Sequence, residues 1–580
     1  MPCLSRALLS LATLCGTALA ASVQVNAPSA PPGDNVTAVF PNFLGMSLEL
    51  SFINYYFGND TSSIPQTMMN YLTALHQRGE GRPVRLRLGG NSMDSSTYVP
   101  DQQQIIEFTD PQANVNDQPV TYGEVLFNIM KTASDQINTQ WLVGLSLRDA
   151  NSTNTPLVAA DAERILGDYL DATLLGNEPD LYTSHGNRPN IANYTVNDYI
   201  GDYWVATENL QKTSQGDFLS LNKVAGPTIC CAWDMSAVLT SGWFQDFGAH
   251  LKYLTVQHYP QNHCSGSYQF HLDWYMSHTN TVNLAHWQQP ALDLLASMPS
   301  DTRKPLLMDE FNSASCGGIP ESNTFAMALW TADYALQMAA VGYSGAYLHT
   351  RERGVPYNLF DVPDAPAGAS GLWTTNPNFY AMLAVNEALQ SGAGGAGSRV
   401  VDLDVSGSVQ DYAAVQAGYA IYNASTSQVS SIALFNYANM SAQGTDFALP
   451  ASLFASSDGG DVRVRYLTAP SATETTDVSW GNLTYAGVGD GVPVTSSHTQ
   501  WADKTVSCKG GCTVSVPGPG MAVVFVAGPP SNTTTTTGTP TANSGNASTS
   551  QKASGAGISG VGIRELCLTV ASAVLLAVAL

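Results

Sequence analysis

Two short segments place carboxylates where they can do chemistry. Leu175-Gly176-Asn177-Glu178-Pro179-Asp180 and Met308-Asp309-Glu310-Phe311-Asn312 each bring acidic side chains to the end of an apolar run. Pro179 removes the backbone N–H just beyond Glu178, which suits a strand that stops there. Two carboxyl groups about 5–5.5 Å apart perform retaining glycoside hydrolysis, one attacking the anomeric carbon while the other protonates the leaving oxygen. A gap of about 6.5–9.5 Å gives inversion instead. Glu178 and Glu310 are the candidate pair. The member acting as acid must begin protonated, which requires a partly dry site and a nearby negative charge. Asn177 is expected to aim its amide at the sugar 2-hydroxyl, a contact that strengthens in an oxocarbenium-like transition state. Strand alternation turns Asp309 away from Glu310, and neither Asp309 nor Asp180 is given a role.

Other chemistries leave little mark. There is no HExxH and no CxxC pair, so no zinc site is expected. Neither a GxSxG elbow nor a Walker A loop occurs. A literal GxGxxG at Gly392, Gly394 and Gly397 follows a helical pattern instead of a strand, and reads as linker. The carboxylate chemistry needs no metal and no organic cofactor.

For the two glutamates to meet, their segments must share one architecture. Short apolar runs alternate with amphipathic ones between residues 41 and 390. Strands are expected at 43–50, 84–88, 141–147, 173–177, 222–229, 251–258, 304–308 and 345–349. Helices are expected at 64–77, 122–134, 159–172, 196–211, 235–250, 281–296, 324–340 and 378–389. Eight β-then-α units predict an α/β fold, a (β/α)8 TIM barrel whose catalytic groups sit at the C-terminal ends of its strands. Glu178 then ends the fourth strand and Glu310 the seventh. A Gly-rich linker at 391–398 follows, and alternating strand-like runs over 399–527 predict an all-β sandwich. The segment 21–40 is expected to lend that sandwich an N-terminal strand.

The chain has 580 residues, 23 Lys and Arg against 46 Asp and Glu, and a formal charge of −23. Charged residues are only 12 % and hydrophobics 44 %, which excludes a disordered chain. An acidic chain with no basic run is a poor partner for nucleic acid, and an awkward one for a polyanionic polymer. Residues 1–20 have a basic flank at Arg6, an apolar run and a small-x-small ending at Ala18-Leu19-Ala20, the pattern of a secretory signal peptide. Residues 528–554 read as a Ser/Thr-rich stalk, and 555–580 as a GPI-anchor signal behind Ser554-Gly555-Ala556. The expectation is a secreted, extracellular protein, GPI-anchored to the cell membrane or wall, that meets membrane only through its lipid. Asn35, Asn59, Asn151, Asn193, Asn423, Asn439, Asn482, Asn532 and Asn546 fit the glycosylation sequon. Without Cys3, Cys15 and Cys567, six cysteines remain. Cys508 with Cys512 suits a small hairpin-closing disulfide, and Cys264 with Cys316 is a plausible second pair. Adjacent Cys230 and Cys231 find no place in this scheme.

Several of these positions together resemble glycoside hydrolase family 79. The resemblance rests on Phe43 to Phe52, Arg87-Leu88-Gly89-Gly90-Asn91, Gly176 to Asp180, His258-Tyr259, Glu310 with Gly317-Gly318, and Tyr357. It spans roughly residues 21–527 and is nearest to the fungal β-glucuronidases, with heparanases more distant. The resemblance implies that Glu178 is the acid/base and Glu310 the nucleophile, with Tyr259 orienting Glu310. It also implies a uronate carboxylate held by Gly317 and Gly318 N–H groups and by Tyr357, and sugar hydroxyls held by Glu49 and Asn91. Some members have tyrosine where this chain has Cys316. Arg87 is expected to partner a buried carboxylate. The leading expectation is a retaining exo-β-glucuronidase acting on terminal glucuronate or 4-O-methylglucuronate of a carbohydrate. An endo-acting glycuronidase, a neutral-sugar glycosidase of the same clan and a catalytically silent GPI-anchored adhesin are the alternatives.

Overall fold

The computed structural model describes residues 22–33, 37–363, 371–392, 395–403, 405, 415–438, 444–454 and 460–526. The segments read as signal peptide, stalk and anchor signal lie outside the described residues, as do Asn35, Asn439, Asn532 and Asn546.

Eight strands close into a barrel: β1 (Leu44–Glu49), β2 (Val84–Gly89), β3 (Thr139–Leu145), β4 (Leu170–Leu175), β5 (Val224–Ile229), β6 (Leu251–His258), β7 (Leu306–Phe311) and β8 (Gly345–Thr350). Neighbours in sequence are neighbours in the barrel, and every pair is parallel. Most strand residues are buried, because helices cover the outside while side chains fill the inside. Leu142, Ala172, Leu174, Ala225, Leu307 and Tyr347 pack together within the barrel. Their strand neighbours Trp141, Val143, Leu175, Leu306 and Met308 face the helical layer.

Helix limits differ from expectation in instructive places. The helix expected over 159–172 is Asn154–Leu166, and β4 already begins at Leu170. Gly167 ends it by taking a φ of +55°, a left-handed turn that glycine makes at little cost. The helix expected after β5 is two short ones, Met235–Thr240 and Trp243–Phe247, parted by Gly242 at φ +107°. The one after β6 splits into His278–Ala285 and Gln289–Ser297.

The second region holds β9 (Ser398–Asp402), β10 (Gln416–Asn423), β11 (Val429–Asn436), β12 (Thr445–Leu449), β13 (Asp461–Thr468), β14 (Cys512–Val516) and β15 (Gly520–Phe525). The main sheet runs β9-β10-β11-β15-β13 before short strands extend it. β12 and β14 form a second sheet, completed by the N-terminal strand Val23–Gln24, which pairs parallel to β12. The main strands alternate without having a polar face. Ala420, Tyr422, Ile432, Leu434, Ala522 and Val524 fill the space between the sheets. Tyr419, Ile421, Ala433, Phe435, Met521 and Val523 pack on the barrel's core. The helices Phe325–Val341 and Pro377–Ala388 are buried almost all round, as helices caught between two packed layers must be.

Candidate active site

A cleft of about 530 Å3 opens at the C-terminal ends of the barrel strands. Glu49, Asn91, Glu178, Tyr259, Glu310, His349, Arg351 and Tyr357 line it. A smaller pocket near the start of β7, bounded by Arg303 and Lys304, has no carboxylate in its wall.

Glu310 is held at both oxygens. Tyr259 Oη donates to Oε1 at 2.7 Å and Arg87 Nη1 donates to Oε2 at 2.5 Å. His349 Nδ1 lies 3.7 Å from Oε2 and pairs with Ser47 Oγ at 2.9 Å. Burial pushes the Glu310 carboxyl upward, but His349, Arg87 and the Tyr259 hydrogen bond outweigh it, so its pKa falls below the ordinary value. Glu178 sits in the opposite balance. Burial, reinforced by the charges of Glu310 and Asp180, raises its pKa well above the usual carboxylate range. The cleft therefore favours a proton on Glu178 and a charge on Glu310, the two states an acid and a nucleophile require.

The backbone aims each of them. Glu178 takes a left-handed conformation, φ +48° and ψ +53°, at the turn where Pro179 begins a 3-10 segment. Such backbone costs a non-glycine residue roughly 1–2 kcal/mol and is held here by its surroundings. The Glu178 N–H donates to Thr228 O (3.0 Å), tying the end of β4 to β5. Asp180 reinforces that tie by accepting from the N–H groups of Cys230, Cys231 and Ala232 at 3.0, 2.8 and 2.7 Å. In β7 a bulge does the aiming. Met308 pairs with Val256 and Glu310 with Gln257, which leaves Asp309 as an extra residue. The alternation is broken, so Asp309 does not face away as expected. Its Oδ2 lies 3.7 Å from Arg87 Nη2, on the same guanidinium that holds Glu310. Burial lifts the Asp309 carboxyl to about 7 against the pull of Arg87. Bulges beside active sites commonly re-aim a side chain in this way.

Arg87, 1 % exposed, is the buried partner expected of it. Its Nη2 also donates to Asn177 Oδ1 at 2.8 Å. Asn177 is engaged within the protein. Its Nδ2 is given to Asn91 Oδ1 (2.8 Å), and it is Asn91 that lines the cleft. Gly317 and Gly318 do not line the cleft, although Cys316 before them does. Their φ values of +93° and +85° demand glycine, and a Cβ on Gly318 would stand 2.7 Å from Ser322 Oγ. The Gly318 carbonyl pairs with His263 Nδ1 at 2.8 Å. Glu49 is fixed by the Ser92 N–H (2.9 Å) and by His349 Nε2 (3.2 Å). Gly90 leaves the room this requires, since a Cβ there would fall 2.2 Å from the Glu49 carboxylate. Tyr357 is buried apart from its place in the cleft wall.

Four further residues take part that the sequence reading did not assign. They are Asp180, Gln257, His349 and Arg351. With its amide turned to satisfy its neighbours, Gln257 donates to Glu178 Oε1 at 3.2 Å and accepts from Arg87 Nη2 at 2.9 Å. Arg351 Nε donates to Glu352 Oε2 at 2.5 Å and its Nη2 to Val115 O at 2.8 Å. A usable signal existed: Gln257 and His349 are polar residues inside apolar strands, and Arg351 is the residue directly after β8.

Disulfides join Cys264 to Cys316 and Cys508 to Cys512. Asn59, Asn151, Asn193 and Asn482 are exposed. Asn423 is half-buried and gives its side-chain N–H to Ser391 O (2.8 Å), a poor posture for a glycan. Among the described residues no group of three or more His, Cys, Asp or Glu is arranged to hold a metal ion.

Comparison with known proteins places this site in context. A β-glucuronidase of Aspergillus niger is 26 % identical over 492 residues, which cover 80 % of this chain and 86 % of that protein. A β-glucuronidase of Neurospora crassa is 24 % identical over 397 residues, 63 % of this chain and 65 % of that one. Among solved structures, a 4-O-α-L-rhamnosyl-β-D-glucuronidase of Fusarium oxysporum superposes with a TM-score of 0.66 at 20 % identity, over 87 % of this chain and all of that chain. A GH51 arabinofuranosidase of Xanthomonas axonopodis pv. citri gives 0.55 at 13 % identity, over 84 % and 97 % of the two chains. At these identities the structures speak for the barrel and β-domain fold. Residues 418–523, the heart of the β domain, match the model of the glycosyl hydrolase family 79 C-terminal beta domain. With this domain behind a barrel that holds a buried carboxylate pair, the chain is similar to the glycoside hydrolases of family 79.

Proposed function

We propose that the protein is a retaining exo-β-glucuronidase, removing terminal β-linked glucuronate, with or without a 4-O-methyl group, from glycans or glycosides. The observation that carries this reading is the placement of both glutamates in one cleft, Glu310 held at its two oxygens by Tyr259 and Arg87, and Glu178 buried beside the charges of Glu310 and Asp180, which favour its protonated form. Glu310 attacks the anomeric carbon while Glu178 passes its proton to the leaving oxygen. Glu178, now ionised, takes a proton from water, and that water releases the sugar from Glu310 with the β configuration restored. Tyr259 and Arg87 hold the Glu310 carboxylate in line for both displacements.

The glucuronate preference is supported by the two relatives named as β-glucuronidases. It is also supported by Tyr357 and Arg351 lying together in the cleft wall. The Tyr357 hydroxyl would donate to the sugar carboxylate, with the Arg351 charge behind it. Among the described residues Arg351 is the one Arg or Lys in the wall, beside three carboxylates. That favours a single terminal uronate over a long polyanion, for which a basic groove would be needed.

The test compares kcat/KM on an aryl β-glucuronide and the matching aryl β-glucoside. A preference for the glucoside refutes the uronate reading. Loss of essentially all turnover in Glu310→Gln is expected, and activity like that of the unmodified enzyme would remove Glu310 as nucleophile. We also propose secretion and a lipid anchor, from the signal-like ends and two disulfides. Release from cells by a phosphatidylinositol-specific phospholipase C tests it.

A further inference from the structure

Two cysteines stand in the cleft wall without a disulfide. Cys230 and Cys231 follow β5, and both line the cleft. Their Sγ atoms are 3.0 Å apart. The Asp180 carboxylate clamps the backbone at both residues. Cys230 touches the Glu178 carboxyl, and Cys231 is exposed to whatever enters. The hydrogen bond from Cys230 holds the Cys231 thiol below its ordinary pKa, which favours the reactive thiolate.

We propose that Cys230 and Cys231 close into a disulfide between adjacent residues, and that this disulfide forms the wall of the leaving-group subsite beside Glu178. The subsite half of the proposal rests on the reading of Glu178 as the acid, since the leaving group lies on the acid's side. Closure is a thiol–disulfide exchange with a low-molecular-weight disulfide such as glutathione disulfide. The Cys231 thiolate attacks one sulfur of that disulfide and expels a thiolate, giving a mixed disulfide. Cys230, giving up its proton, attacks Cys231 Sγ and expels the second thiolate. Two cysteine thiols are oxidised and one small disulfide becomes two thiols.

Adjacent Cα atoms lie about 3.8 Å apart, below the span of about 4.4–6.8 Å of ordinary disulfides. A bridge here is strained and easily reduced, so its state follows the redox poise outside the cell. Open, the pair keeps one S–H, on Cys230, that can turn to Cys231 or to Glu178. Closed, it offers a compact polarizable surface without a donor, suited to an aromatic or apolar ring face. The enzyme's choice of aglycone then depends on its oxidation state.

The experiment uses the whole folded enzyme, incubated with glutathione disulfide and alkylated without reduction. Trypsin releases the two cysteines together on the peptide Val224–Lys252, free of every other cysteine. That peptide should carry no alkyl group and weigh two hydrogens less than its reduced form. Two alkyl groups on it would overturn the disulfide. The second readout is the ratio of kcat/KM for aryl and methyl aglycones on whichever glycone the enzyme prefers, so a failed glucuronate reading does not decide it. Mild reduction should lower the aryl preference about threefold, the scale of a sulfur–ring contact, and should not do so in Cys231→Ala. An unchanged ratio would overturn the subsite, and an equal change in Cys231→Ala would overturn it in favour of Cys264–Cys316, which also lines the cleft.

Discussion

Replacing Tyr259 by Phe removes one hydroxyl and keeps the ring. In the native cleft that hydroxyl donates to Glu310 Oε1 at 2.7 Å, and the acceptor is ionised. Hydrogen bonds to charged groups are worth about 1.5–3 kcal/mol, and a pKa unit is about 1.4 kcal/mol. Loss of the bond should raise the Glu310 pKa by roughly 1–2 units, with Arg87 and His349 still opposing burial. Glu310 must be ionised to attack, so the acid limb of kcat/KM moves to higher pH by that amount. The assay is a pH profile on an aryl β-glucuronide with an activated leaving group, which makes little demand on Glu178. Unfolding should show the same sign. A carboxyl depressed in the fold stabilises it above the unfolded pKa and loses that contribution as pH falls through the folded one. The variant should therefore be less stable than its parent above that window and similar below it. An acid limb that stays in place, or moves to lower pH, would refute the claim that Tyr259 tunes the nucleophile.

Other outcomes follow from the same geometry. Glu178→Gln should hurt substrates with poor leaving groups far more than activated ones, measured as the ratio of their kcat/KM losses. The same variant should gain thermal stability as pH rises above the usual 4.5, by up to about 1.4 kcal/mol per pH unit, because it no longer confines a carboxyl that ionises more readily unfolded. Gly90→Ala should abolish turnover, since the new Cβ would displace the Glu49 carboxylate; activity assays on folded protein check it. Buried Asp333 accepts from Tyr437 Oη at 2.7 Å, from the Tyr419 hydroxyl and from His278 Nδ1 at 3.0 Å, and its charge raises His278 to about 10 against the burial that lowers it. That stabilisation is full below the unfolded pKa near 6.5 and is lost as pH rises toward 10. Asp333→Asn should cost about 3–5 kcal/mol at neutral pH and flatten the fall of Tm across that window.

The candidate pair was legible because each glutamate follows an apolar run, and because eight such runs alternate with helical patterns. Chain order then sets spatial order in a closed parallel barrel. What escaped depends on one-residue shifts in register. No pattern of types distinguishes Asp309 as the extra residue of a bulge, since that is decided by how β6 and β7 pair. The protein partners of Asn177 escaped for a related reason. A polar group beside a catalytic residue can serve substrate or protein, and here Arg87 and Asn91 claim it first. The glycines at 317 and 318 were read as ligand contacts; positive φ at both, and the closeness of Ser322 to Gly318, give each a reason of its own to be glycine. His349 and Arg351 sat at the end of β8, where the rule that found Glu178 applies equally.

The main sheet of the β domain gives one face to its partner sheet and the other to the barrel. Neither half can be cut away without wetting a broad apolar surface. Barrel and β domain should therefore melt in one calorimetric transition, and a barrel expressed alone should aggregate. Evolution can exchange loops around this cleft far more readily than it can exchange the β domain behind it.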